Sequence, residues 1–116
     1  MGDDMLPLAP QTYHVLLALG DRTLHGYGII QAFEELTAGA ETLLPGSLYA
    51  ALGRMVQDGM IVEAPPPRKE SSGGPARRYY RMTARGRAAA RAESARRARL
   101  LELARARGLA AAKQGL

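Results

Sequence analysis

Three side chains on one short run, Ser47, Tyr49 and Arg54, carry groups suited to binding a nucleic acid. Ser47 offers a hydroxyl beside first-turn N–H groups, a combination that holds phosphate oxygens at a helix start. Arg54 offers the forked donor that most often reads guanine edges; an ion pair with Asp58, four residues on, is the competing use. Tyr49 presents a phenol that can donate to phosphate or pack beneath a neighbouring hairpin. Arg68, Lys69, Arg77 and Arg78 flank a run of Pro, Gly and Ser. Basic side chains on a loop grip the phosphate backbone without reading bases, and a merely solvated loop is the plain alternative. Tyr27 can reach the same backbone or lie in the core, with His25 beside it as a cap or core residue. No carboxylate pair, nucleophile–base set or phosphate-binding glycine loop stands out, so no enzyme activity is expected.

Composition points the same way. The chain has 116 residues, enough for one compact domain with a modest core. It has no cysteine, which excludes disulfides, thiolate catalysis and Cys-based zinc sites. With His14 and His25 as the only imidazoles, neither a metal site nor a cofactor is expected. The apolar run from Val15 to Leu19 is far too short for a membrane span, and the Met1–Asp4 start is acidic, unlike a signal peptide. A cytoplasmic protein without a membrane partner is the expectation. Charge is divided sharply along the chain. Residues 1–64 hold two basic side chains against eight acidic ones, whereas residues 65–116 hold fourteen against three. A half this basic suits a polyanionic partner; a high-GC genome that favours Arg and Ala codons is the competing reason.

The elements that must position these side chains are marked by Pro and Gly. Residues 1–9 read as a loose arm. Pro10 opens a first helix closed by Gly20, with Tyr13, Leu16 and Leu17 on one face. Thr23 is a candidate cap for a second helix from Leu24 or His25 to Ala38, whose stripe is Ile29, Ile30, Phe33, Leu36 and Thr37. Thr42–Leu44 reads as a brief strand. Pro45 suits the first position of a third helix and Gly59 its left-handed close; Leu48, Leu52, Met55 and Val56 form its apolar face. Met60–Glu63 and Arg78–Met82 read as strands around a loop of chain breakers at 65–76. From the cap Thr83 a long helix runs to about Arg107, a rod of about 36 Å.

Three helices, a two-stranded wing and a long final helix make a mostly α fold with a small β-hairpin: a winged helix-turn-helix plus a C-terminal helix. The strings Leu24-His25-Gly26-Tyr27-Gly28-Ile29, Pro45-Gly46-Ser47-Leu48-Tyr49, Gly59-Met60-Ile61 and Arg78-Tyr79-Tyr80-Arg81-Met82-Thr83 with Gly86 occur in an order and spacing that resembles the PadR family of winged-helix transcriptional regulators. With one helix after the wing, the chain is similar to the family's shorter branch. The resemblance implies a homodimeric cytoplasmic regulator of double-stranded DNA, usually a repressor and often released by a small-molecule effector. It departs from the pattern in having Leu44, a poor cap, before Pro45, and no Trp for a stacked ligand site.

The expected organisation is an arm (1–9), a winged-helix unit (10–83) and a dimerisation helix with its tail (84–116). Ala88, Ala92, Ala95 and Ala98 form a small-residue stripe, and Leu100, Leu101 and Leu103 add bulk below it; with Tyr13 and Leu16 these are the expected dimer surface. Glu93 and Arg97 read as an i,i+4 pair on an exposed face. Arg85 and Arg87, at the positive end of the last helix, oppose its dipole and hint at an anion nearby. The leading function is a dimeric repressor on a palindromic operator. The alternative is a winged helix that binds proteins and has no sequence-specific DNA binding, favoured by the sparse charge of the third helix.

Overall fold

In the computed structural model, residues 5–67 and 77–113 are described, so Arg68 and Lys69 of the expected wing contacts lie outside them. The elements are α1 (Pro10–Leu19), β1 (Leu24–His25), α2 (Gly26–Leu36), α3 (Pro45–Gln57), β2 (Ile61–Ala64), β3 (Tyr79–Met82) and α4 (Ala84–Ala106). Pro10 and Pro45 stand in the first turns of α1 and α3, where a missing N–H is tolerated. Gly59 closes α3 with a φ of +76°.

The core lies where α1, α2 and α3 meet the sheet, with Val15, Leu19, Ile29, Leu48, Leu52, Met55 and Ile61 almost fully buried. Leu36 was expected on that core face but is exposed, as is Val56 in part, because each sits in the last turn of its helix where the chain leaves the core.

Two local expectations are corrected. No strand forms at 42–44; the segment is irregular, and Leu43 drops into the core. The extra strand is β1, which pairs antiparallel with β3 (Leu24 opposite Tyr80, His25 opposite Tyr79), giving the sheet order β1-β3-β2. A run of two or three β-formers cannot choose its partner by itself; here the extended approach to α2 lies beside the open edge of β3 and takes it. The cap of α2 is accordingly His25, not Thr23: its Nδ1 accepts the Gly28 N–H at 3.0 Å.

The joint between α3 and α4 is tight. Thr83 caps α4 by accepting the Gly86 N–H at 3.0 Å, and its hydroxyl donates to the Gly59 carbonyl at 2.5 Å. A Cβ on Gly86 would run into the Met60 carbonyl oxygen, so only glycine fits there. The two first-turn arginines of α4 have protein partners. Arg85 Nε donates to the Asp58 carbonyl at 2.8 Å, where its charge suits the negative end of α3, and Arg87 pairs with Asp21 at 2.5 Å.

Glu93 also departs from expectation. Its side chain is 0% exposed rather than on a solvated face. Oε1 accepts from the Leu8 N–H at 3.0 Å, and Oε2 from Arg96 Nη2 at 2.7 Å and Arg97 Nε at 2.6 Å. The Arg96 hydrogen bond, seconded by Arg97 and the Leu8 amide, outweighs burial and holds the carboxyl at about 2. The arm is therefore docked at its inner end, with Leu8 buried and Met5 and Leu6 packed on the core.

Candidate nucleic-acid interface

α3 turns Leu48, Ala51, Leu52 and Met55 inward, which leaves Gly46, Ser47, Ala50, Gly53, Arg54 and Gln57 in solvent. This outward face is small and polar over more than three turns, the shape a major groove admits. Beside it opens a cleft of about 370 Å³ lined by His25, Gly26, Tyr27, Tyr49, Gly53, Arg77, Arg78 and Tyr80. The fold thus brings four of the expected contact residues, Tyr27, Tyr49, Arg77 and Arg78, around one opening from α2, α3 and the segment leading into β3.

Close packing sets the positions of these side chains. Tyr49 is 55% exposed, yet its ring lies against the backbone of Gly26, where a Cβ would come within 2.6 Å of both Cε1 and the hydroxyl. Gly26 is thereby the slot in which the Tyr49 ring rests. Tyr27 is 57% exposed and stacks with His25 at 6.4 Å between centroids. Tyr79 meets His25 edge-on at 5.2 Å, while Tyr80 turns inward. Burial pushes the Tyr80 phenol above its ordinary value, with the Glu63 charge adding to the effect and Arg78 opposing it.

His25 Nδ1 accepts the Gly28 N–H, and its Nε2 lies 2.9 Å from Arg77 Nη1, so the ring ties the start of α2 to the segment leading into β3 at the rim of the cleft.

The remaining expected residues are dispersed. Arg54 faces a different cleft, with Arg85, Asp58, Met60 and the arm, and makes no ion pair with Asp58 among the described residues. Ser47 is exposed in the first turn of α3 and bonded to Gln11, a residue that sequence reasoning missed. Of the expected dimer residues, Leu16 is 1% exposed and taken up by the core of its own chain, so its side chain has no surface to offer a partner. Tyr13 is half-buried between α1 and α4: its hydroxyl is 2.6 Å from Ser94 Oγ, and Arg97 lies over its ring at 4.3 Å. Ala88 and Ala92 are half-buried and Ala95 is exposed; Leu100, Leu101 and Leu103 stand 51%, 44% and 60% exposed on the far half of α4.

Comparison with known proteins places this geometry. The sequence pattern of the transcriptional regulator PadR-like family matches residues 15–92. The transcriptional regulator Rv3488 of Mycobacterium tuberculosis is 39% identical over 76 residues, which are 66% of this chain and 64% of that protein, so the match spans less than two thirds of the relative. A PadR family transcription regulator from Clostridium difficile R20291 has a similar fold, with a TM-score of 0.68 at 22% identity over 84% of this chain and 96% of that one. Bacillus subtilis PadR, solved in complex with operator DNA, is similar at a TM-score of 0.60 and 22% identity over 74% of this chain and 47% of that one. No helix of the described residues is long and apolar enough to cross a membrane.

Proposed function

Since the chain belongs to the PadR-like family of transcriptional regulators, we propose that it acts as a homodimeric DNA-binding repressor, with one α3 from each subunit in the major groove of a palindromic operator. The observation that carries this reading is the convergence of Tyr27, Tyr49, Arg77 and Arg78 on one cleft beside the exposed face of α3. The similar fold of Bacillus subtilis PadR, solved with operator DNA, supports it. In this reading α3 discriminates and the basic residues around the wing, Arg68 and Lys69 among them, supply the electrostatic grip. The leucines exposed on the far half of α4 support a second copy as its partner, since an apolar surface of that kind is ordinarily covered. Release by a small-molecule effector belongs to the same proposal, on family resemblance alone.

The test is fluorescence anisotropy with a labelled duplex from upstream of the protein's own gene, against a scrambled duplex of equal length. The upstream duplex binds more tightly, and with about four phosphates neutralised per subunit the log–log salt slope is about −7. Arg77→Ala lowers that slope by about 1.8, since each dimer loses two contacts. Equal binding to both duplexes refutes the operator reading and leaves a winged helix that binds proteins.

A further inference from the structure

α3 begins without a cap of its own. Leu44 stands at the N-cap position and has no side-chain acceptor, and the first-turn residues Pro45, Gly46 and Ser47 leave the helix start open. The turn is held instead from α1. The Gln11 side chain reaches Ser47 across 36 positions of sequence, within 3.1 Å of its Oγ. With the amide turned as its neighbours require, Oε1 accepts from the Leu48 N–H at 3.2 Å and from the Ser47 hydroxyl at 3.1 Å, while Nε2 donates to the Ser47 carbonyl at 3.2 Å. One amide then takes the Ser47 hydroxyl and carbonyl and shares the Leu48 N–H, whose bond to the Leu44 carbonyl at 2.9 Å is the first helical bond of α3.

We propose that Gln11 is the positioning residue for the reading helix, tethering the first turn of α3 to α1 and so fixing how that turn meets DNA. This rests on the operator reading above. A helix start that lacks its cap frays over its first turn, and base-edge hydrogen bonds tolerate little misplacement, whereas phosphate contacts from flexible basic side chains tolerate it well. Loss of the Gln11 amide therefore removes discrimination and spares non-specific affinity. General destabilisation does not make that distinction.

The experiment compares the wild type with Gln11→Met, which keeps the length of the side chain and removes every hydrogen bond. Two readouts are taken. In the free protein, hydrogen exchange of the Leu48 amide becomes about tenfold faster in Gln11→Met, while amides in the middle of α2 stay within twofold. On DNA, the ratio of upstream to scrambled affinity falls about tenfold, with scrambled affinity within twofold of wild type. An unchanged Leu48 exchange rate overturns the proposal whatever DNA does, and so does faster exchange with an unchanged ratio. Equal binding of the wild-type protein to both duplexes refutes the operator reading instead; Leu48 exchange then still decides whether Gln11 holds the first turn of α3.

Discussion

Replacing Glu93 by Gln tests the buried carboxylate that holds the arm to α4. Its side chain is 0% exposed and accepts from Leu8, Arg96 and Arg97. Its pKa is held at about 2 against an ordinary 4.5. At about 1.4 kcal/mol for each tenfold change, the ceiling on its contribution is about 3 kcal/mol. Both arginines keep roughly a third of their side-chain surface in water (31% and 39%), and solvent screening brings the expected value to about 1–2 kcal/mol. Because the folded value lies below the unfolded one, this stabilisation is complete above about pH 4.5 and is lost as the pH falls towards about 2. Urea unfolding followed by circular dichroism, at one protein concentration and at pH 7, 4.5 and 2.5, measures it. Wild type should lose about 1–2 kcal/mol more than Glu93→Gln between pH 7 and pH 2.5, and the variant should already be weaker by a similar amount at pH 7. If both proteins show the same acid sensitivity to within about 0.5 kcal/mol, Glu93 is not the paired, buried ion described above.

Gly26→Ala forces a Cβ into the Tyr49 ring and should cost about 1–3 kcal/mol; Tyr49→Ala in the same chain should relieve much of that loss, a non-additivity that thermal melting of the four proteins reads directly. Gly86→Ala drives its Cβ into the Met60 carbonyl, a backbone contact without freedom to move, and should lower Tm by at least 10 °C or prevent soluble expression. Arg87→Ala breaks an ion pair whose side chains are 47% and 89% exposed, so its melting temperature should stay within about 3 °C of wild type.

The parts of the fold that were legible in the sequence are those encoded by neighbours along the chain. Pro10 and Gly20, Pro45 and Gly59, and Thr83 with Gly86 announce helix ends through local backbone chemistry, and α1, α3 and α4 begin where those residues stand. The features that were not legible depend on residues far apart. β1 exists because β3, more than 50 residues later, offers an edge. Glu93 has the i,i+4 spacing of a surface pair, and only the packing of the arm, 85 positions away, buries it. Gln11 lies in an amphipathic helix with no local mark of its role, since the turn it bonds belongs to a different helix. For the site, Tyr27, Tyr49, Arg77 and Arg78 were readable as donors by type, whereas their meeting in one cleft, and the placing of Arg54 in another, followed from the fold.

The short ladder between β1 and β3 makes a mechanical joint. β1 runs into α2 at His25–Gly26, and β3 runs into α4 across Thr83. Two pairs of facing residues, Leu24 with Tyr80 and His25 with Tyr79, therefore connect the far helix to the start of the helix-turn-helix. α4, with its 23 residues, is about 34 Å long, and its first half is fastened to the rest of the chain by Arg87–Asp21, Glu93–Leu8 and Tyr13–Ser94. The exposed, leucine-bearing half beyond those ties is thus set in a fixed direction relative to the strand pair that leads into α2, and whatever seats on those leucines is oriented with respect to Tyr27 and Tyr49.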